Sequence, residues 1–411
     1  MTTQQVYWLS RIFSQCVVID QNNQKWDLKA AKDLFNEYIE KANVKKDIIL
    51  PADTIKIDDL NKKDILNRIY KLVDGIIEKI YTSGKPTIEL PSRSSSNIIW
   101  DEENDMLLLG RQILEKQFHS LTSVADITRL MRVLEIINEL LVKEIHATKR
   151  EIFYTDVKLF TDQKNSDKSI EDAATMLYTT RNATHIVAAP KGTCVGRLRI
   201  RDRTDIIDLE GLGSGGWTIS PMLDNIEIIE SDAEFILVIE KDAAMMRLAE
   251  ARFWRRYPCI LLTAQGVGNV AVRMFLKRLS KELNLPVFSL VDSDPYGHYI
   301  HSVYLRGSKR LSYESPFLAT PNIKLLGVLT RDLDAYKVPD EVRLPMTKMD
   351  VKRVQDLLNE DFVKKNKKWE ADLKLSLKLK IKAEIQALSS HGFEYLTDQY
   401  LPEKLTTGDW I

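Results

Sequence analysis

Apolar residues recur at three- and four-residue steps over long stretches of the chain, and each such stretch predicts an amphipathic helix. Leu34, Phe35 and Tyr38 mark one over residues 28–42. Ile65, Leu66, Ile69, Leu72, Val73, Ile76, Ile77 and Ile80 mark a second over 60–82, which Ser83-Gly84-Lys85-Pro86 ends. Leu130, Met131, Leu134, Ile137, Leu140 and Leu141 mark a third over 127–145. Residues 43–58 read as a mixed loop through Leu50-Pro51. Residues 87–90 and 98–100 read as short strands separated by the turn Ser92-Arg93-Ser94-Ser95-Ser96-Asn97. Thr148-Lys149-Arg150-Glu151 has capping-box spacing, in which the threonine and glutamate side chains satisfy each other's backbone amides, so a short helix opens at Lys149. Ser169-Ile170-Glu171-Asp172 predicts another start, with a helix running to residue 180. Residues 186–189 and 195–201 then read as two strands joined around Lys191-Gly192, and Gly211-Leu212-Gly213-Ser214-Gly215-Gly216 as a flexible connection.

From residue 235 the pattern changes. Short continuous apolar runs at 235–239, 259–263 and 286–291 alternate with helical stretches at 242–255, 269–283 and after Pro295. That alternation implies a parallel sheet with helices on its faces. The lysine-rich stretch 364–382 reads as one long helix. The frame is therefore an extension (1–56), a helix with short strands (57–110), a helical segment closed by a basic hairpin (111–205), a linker (206–231) and an α/β domain with a helical elaboration (232–411). Three helices followed by a basic hairpin is the plan of a winged helix.

A length of 411 residues supports roughly two to three domains at about 150 residues each. Hydrophobic residues at 44% and charged residues at 29% exclude a disordered or fibrous chain. No apolar run approaches the roughly 18 residues a membrane span needs, and no secretory signal stands at the N-terminus. Cys16, Cys194 and Cys259 are too few and too scattered for a disulfide framework or a cysteine-built zinc site, which suggests a reducing cytosol. Lys plus Arg equals Asp plus Glu at 59, so global charge advertises no partner. Local charge does. Residues 190–203 carry Lys191, Arg197, Arg199, Arg201 and Arg203 against Asp202, and 361–382 carry eight lysines against Asp361, Glu370 and Asp372. On a strand, alternate arginines share a face, and a basic wing beside a helical core favours DNA over a merely solvated face.

Ligands of an open parallel sheet gather outside the carboxyl ends of its strands. Glu240 and the pair Asp292/Asp294 stand at two such ends. Carboxylates converging there repel one another unless a cation neutralises them, and few hard oxygen ligands suit Mg²⁺. The glycine cluster at 211–216 lacks a following Lys-Ser/Thr and is weak as a nucleotide loop; no GxxxxGK[ST] occurs in the chain. His298 and His301, three apart, have zinc-ligand spacing, but a packed helix face is the better reading without nearby cysteines.

The order Val238-Ile239-Glu240-Lys241, Gln265-Gly266, Asp292-Ser293-Asp294-Pro295-Tyr296-Gly297 resembles a Toprim domain, the metal-binding module of topoisomerases. Asp-Pro-Tyr-Gly narrows the resemblance to the A subunit of type IIB DNA topoisomerase (DNA topoisomerase VI, archaeal type) and the related meiotic double-strand-break protein. Lys149-Arg150-Glu151-Ile152-Phe153-Tyr154-Thr155-Asp156 is similar to that family's winged-helix signature. Where members often have two adjacent tyrosines this chain has Phe153, which leaves Tyr154 as the nucleophile. Leu90-Pro91-Ser92-Arg93-Ser94, Trp217-Thr218-Ile219-Ser220-Pro221, Leu311-Ser312-Tyr313-Glu314 and Gly408-Asp409-Trp410-Ile411 extend the likeness over most of the chain beyond residue 55. Gln265 departs from it, standing where many members have lysine.

The resemblance implies a fold of mixed α/β and α+β type, a CAP-like winged helix followed by a Toprim domain. It implies a topoisomerase that makes a transient 5′-phosphotyrosyl double-strand break in DNA. Tyr154 attacks, Arg150 one turn earlier assists, and Glu240, Asp292 and Asp294 hold Mg²⁺, with Glu240 alternatively a general acid or base. Lys191, Arg197, Arg199, Arg201 and Arg273 are expected at DNA. The resemblance also implies two kinds of partner, a B subunit that binds ATP and another copy of this chain, in an A2B2 assembly. That assembly is expected in the cytoplasm, at the nucleoid in a prokaryote. The alternatives are a meiotic-type break initiator that does not reseal, and a DNA-binding scaffold that has lost catalysis.

Overall fold

The structure, a computed structural model, describes residues 28–42 and 49–411; Cys16, most of the expected N-terminal extension and residues 43–48 of the first loop lie outside them. The first half is helical. Helix α1 (Leu28–Ala42) precedes α2 (Lys62–Ser83), which Asn61 caps by accepting from the Asp64 amide and Gly84 ends in the left-handed region. Four strands follow: β1 (Thr87–Pro91), β2 (Ile98–Asp101), β3 (Met106–Leu109) and β4 (Ile113–Gln117). The two expected strands do not pair together. β1 pairs with β4 and β2 with β3, each antiparallel.

Helix α3 (Val124–Lys143) leads through β5 (Ala147–Thr148) to α4 (Lys149–Thr155), then α5 (Val157–Phe160) and α6 (Gln163–Met176). The capping box forms as the spacing predicts. Helix α6 starts six residues before the expected Ser169, because Asp162 caps it through the Lys164 amide. Ser169 instead returns its hydroxyl to the Asn165 carbonyl, the habit of a serine inside a helix. Ile65 and Ile69 of α2, Leu130, Leu134, Ile137 and Leu141 of α3, Ile152 of α4 and Ile170 of α6 form one apolar core.

The expected basic hairpin is not formed. β6 (Ile186–Val187) runs parallel to β5, whereas β7 (Thr193–Gly196) pairs with strands of the second half. Gly196, at φ +112°, ends β7, and a separate strand β8 (Arg199–Asp202) lies between β9 (Asp205–Asp208) and β11 (Ile226–Glu230). β10 (Trp217–Thr218) pairs with β7, so the stretch expected as a linker carries structure of its own.

The second half follows its sequence pattern closely: β12 (Phe235–Ile239), α7 (Asp242–Glu250), β13 (Cys259–Thr263), α8 (Val270–Leu283), β14 (Val287–Leu290), α9 (Pro295–Arg306), α10 (Ser315–Leu318), β15 (Lys324–Gly327) and α11 (Thr330–Ala335). The six-stranded sheet has the order β10-β7-β13-β12-β14-β15, with β13, β12, β14 and β15 parallel and β7 antiparallel at β13. Alternate strand residues bury opposite ways. Ile236, Val238, Ile260 and Leu262 pack with Val272 and Phe275 of α8, while Phe235, Leu237, Ile239 and Leu261 pack with Met245 and Leu248 of α7. Successive helices thus cover opposite faces, and the chain reverses its direction of travel across β12.

β16 (Leu344–Pro345), α12 (Lys348–Asn359), α13 (Asp361–Lys365), α14 (Lys367–Leu379), β17 (Ile381–Lys382) and α15 (Leu401–Thr407) complete the chain. The expected single helix over 364–382 is divided at Asn366, whose side chain accepts from the Trp369 amide and restarts the helix so that Trp369 is buried. Among the described residues no helix is long and apolar enough to cross a membrane.

Candidate active site

Since β12 leads first to β13 on one side and then to β14 on the other, a crevice opens beyond the carboxyl ends of β12 and β14, the switch point where α/β sheets bind ligands. Glu240 follows β12 and Asp292 follows β14. The two meet: the Asp292 amide donates to Glu240 Oε2 at 3.0 Å. Asp294 caps α9 by accepting from the Gly297 amide at 2.6 Å. Gly297 is required there, because a Cβ would lie 2.3 Å from the Asp292 carbonyl oxygen. Asp-x-Asp-Pro-x-Gly is therefore one structural unit, in which proline opens the helix and glycine lets it approach the strand end.

Burial, followed by the charges of Asp292 and Asp294, pushes the Glu240 carboxyl up to about 7. Asp292 is also raised, by burial above all, against the pull of the Ile385 amide and of Lys241. Carboxylates held together at this cost are a donor set for a hard divalent cation, and Glu240 Oε1 and Asp294 Oδ2 point to no protein donor within hydrogen-bonding range among the described residues. The set is not closed, since no three such ligands among the described residues already surround a common point. Beside them lies Lys241, its ammonium 3.0 Å from Asp292 Oδ2 and 2.9 Å from Glu384 Oε2.

Tyr154 lies elsewhere. It stands on α4, 61% exposed, its ring 5.3 Å from Phe153. Arg150, also exposed, precedes it by four residues and so shares its side of the helix. Helix α4 packs mainly on α6, and the structure gives Tyr154 no hydrogen bond to Glu240, Asp292 or Asp294.

The basic residues expected at DNA fall into three kinds. Lys191 is exposed beside the carboxyl end of β13. Its carbonyl accepts from Asn269, the cap of α8, and the neighbouring Gly192 lies so near the end of β13 that a Cβ would meet the Thr263 oxygen at 2.5 Å. Arg197, Arg199 and Arg201 face acidic partners: Arg197 pairs with Glu210 and Asp232, Arg199 with Glu230 and Arg201 with Glu227, the last two across the β8–β11 ladder. The alternating arginines do share a face, but β11 lays glutamates along it. Arg273 is 1% exposed within α8, where burial lowers its guanidinium to about 10, so it does not reach the surface. Gln265, in the left-handed region at φ +55°, turns toward Asp242 at 3.3 Å. His298 and His301 are buried and packed on Trp369.

Sequence reasoning missed the ion cluster that ties the two halves together. Glu171 of α6 accepts from Arg93 at 2.7 Å and from Arg310 of the second half at 2.7 Å. Asp167, one turn earlier, receives Lys149, the first residue of α4, at 2.5 Å, and Arg310 at 3.4 Å. Glu314 accepts from the Arg181 amide across the same junction. Arg93 and Glu314 stand within motifs that carry the family resemblance, which was the available signal.

An α/β sheet with carboxylates at its switch point, joined to a helical half that displays a tyrosine, is an arrangement with the residue types for cation-assisted phosphoryl transfer. Comparison with known proteins agrees and is narrower. The family model for the Toprim domain shared by Spo11 and the topoisomerase 6 A subunit matches residues 235–405, and that for type IIB DNA topoisomerase matches residues 125–186. The chain is 49% identical to the A3 subunit of DNA topoisomerase 6 from Oryza sativa subsp. indica, over 88% of this chain and 81% of the relative. It is 38% identical to the A subunit of Type 2 DNA topoisomerase 6 from Aeropyrum pernix, over 84% and 94%. It is 33% identical to Meiotic recombination protein SPO11 of Mus musculus, over 88% and 91%. The chain belongs to the family of type IIB DNA topoisomerase A subunits and their Spo11 relatives.

Proposed function

We propose that this chain cuts duplex DNA through Tyr154 while Glu240, Asp292 and Asp294 hold Mg²⁺, as the A subunit of a type IIB topoisomerase. The observation that carries this is the pairing of Glu240 with the Asp292 amide at the switch-point crevice, with Asp294 one helix cap away. Higher identity to the topoisomerase 6 subunits than to SPO11 favours strand passage with resealing over break initiation alone.

In the mechanism, the Tyr154 hydroxyl gives up its proton and its oxygen attacks a backbone phosphorus. A phosphotyrosyl bond forms to the 5′ phosphate as the bond to the 3′ oxygen breaks and that oxygen takes a proton. The bond energy is conserved, so the released hydroxyl reseals the strand by the reverse path. Glu240, Asp292 and Asp294 would hold Mg²⁺, which when bound would offset charge on the phosphate and the leaving oxygen. Arg150, on the same side of α4, holds the phosphate against Tyr154. Lys191 at the end of β13 positions the backbone, whereas Arg197, Arg199 and Arg201 reach DNA only by giving up their glutamate and aspartate partners.

The remaining assignments follow the same reading. The helical half acts as a winged helix, ATP is bound by a B subunit, and two copies of this chain in an A2B2 assembly bring the tyrosine of one to the carboxylates of the other. The exposure of Tyr154 and its placement on a different core from the crevice support such sharing.

Covalent trapping tests the proposal. With supercoiled DNA, Mg²⁺, a non-hydrolysable ATP analogue and a topoisomerase VI B subunit, wild type should form a 5′ adduct on Tyr154. Y154F should lose at least about a thousandfold of it, as expected for a missing nucleophile, and D292A should lose it too. DNA binding that persists without any adduct would instead identify a scaffold.

A further inference from the structure

Lys241 stands between the carboxylates and the open rim, at the turn from β12 into α7. Both oxygens of Asp292 are engaged by the chain itself: Oδ1 accepts from the Ile385 amide at 2.9 Å and Oδ2 faces the Lys241 ammonium at 3.0 Å. The two partners differ in kind. The Ile385 amide is fixed, because Ser293 and Ala383 exchange backbone bonds at 2.8 and 3.1 Å and clip residues 383–385 to the Asp-x-Asp turn. Lys241 is a flexible stem with a single charge. The same clip carries Glu384, whose Oε2 holds the other side of the ammonium at 2.9 Å.

Resting on the metal-site reading above, we propose that the Lys241 ammonium is the counter-ion of Asp292 in the DNA-free protein. A divalent cation displaces it, Glu384 receives it at the rim, and there it meets a DNA phosphate. Magnitudes favour each step. A doubly charged ion gains more than an ammonium from a set of three carboxylates. The Lys241–Glu384 pair that remains has an exposed carboxylate and is weakened by solvent screening. It is therefore easily traded for a charge-assisted bond to phosphate. The turn thus couples cation binding to the release of a positive charge beside the reacting backbone, at a position where the loop of Gln265 has no lysine to offer.

Mn²⁺ binding to the full chain without DNA, counted by electron paramagnetic resonance, is the direct test. Lys241→Met should bind Mn²⁺ about tenfold more tightly, and Glu384→Gln about threefold more weakly, because the displaced ammonium loses its receiver. In the double variant the Glu384→Gln effect should vanish, since Glu384 acts through the lysine. Unchanged affinity in Lys241→Met, or simple addition of the two effects, overturns the exchange. Wild type that binds no Mn²⁺ at all would instead overturn the metal-site reading beneath it. At saturating Mg²⁺ with the B subunit, Lys241→Met should form adduct at least about tenfold more slowly; a wild-type rate overturns the phosphate contact.

Discussion

The two chemical regions of this chain are built on opposite plans. The carboxylates sit where strand ends, a helix cap and a backbone clip leave them little freedom, and each is pinned by an amide: Asp292 by Ile385, Glu240 by Asp292, Asp294 by Gly297. Tyr154 stands exposed on a seven-residue helix fixed by one capping box, one buried isoleucine and the docking of Lys149 on Asp167. A cation site needs its ligands preorganised, because their repulsion would otherwise disperse them. A residue that meets a large incoming substrate needs access, which a short exposed helix gives. The contrast separates a region that this chain holds rigid from one that it leaves open.

The junction between the regions gives the largest expected effect. Glu171→Ala leaves Arg93 and Arg310 without their shared buried carboxylate and should cost roughly 2 kcal/mol in denaturant unfolding, below the roughly 3–5 kcal/mol of a fully isolated buried pair because Asp172 and Asp167 retain some hold. Adduct formation should fall with it, while Mn²⁺ affinity stays near wild type. A parallel loss of Mn²⁺ binding would show that the two regions are not independent.

Glu240→Gln probes the strained side. In the metal-free protein its carboxyl is raised from 4.5 to about 7, so below 4.5 it is neutral in both folded and unfolded chains and has no effect. Between about 4.5 and 7 the unfolded chain ionises it while the folded protein keeps it protonated, so stability falls across that window and stays lower above 7. The glutamine variant should therefore melt about 2 °C higher than wild type at pH 8 and at the same temperature well below pH 4.5, by calorimetry without divalent ions. An equal gain at both pH values would mean that packing, not charge, is responsible.

Thr148→Ala should be the mildest, costing about 1 kcal/mol as the capping box is lost. Hydrogen exchange should quicken over residues 149–155 and leave the β12–β14 ladder unchanged. Equal quickening in both would break the contrast between a loosely held nucleophile and a fixed crevice.

Much of this was legible in the chain because it is local. The runs at 235–239 and 259–263 became strands at those residues, the capping box at Thr148 formed, and the Asp-x-Asp-Pro-Tyr-Gly turn is a self-contained cap. The acidic partners of the arginine face were not legible, for an equally physical reason. Alternation placed Arg199 and Arg201 on one side correctly, but their neutralising glutamates, Glu230 and Glu227, lie 31 and 26 residues away and arrive only through strand pairing. Arg273, expected at DNA from the resemblance alone, is buried within α8 against the sheet.

The sequence by itself determined the elements, their caps and the residue types that can carry the chemistry, since periodicity and capping depend on neighbours within a turn or two. Only the tertiary structure decided which strands pair, which arginines are neutralised, that Lys191 lies at the end of β13 and that Lys241 bridges Asp292 to Glu384. Those outcomes depend on contacts between residues far apart in the chain, where the order of strands in the sheet, and not local pattern, sets which charges meet.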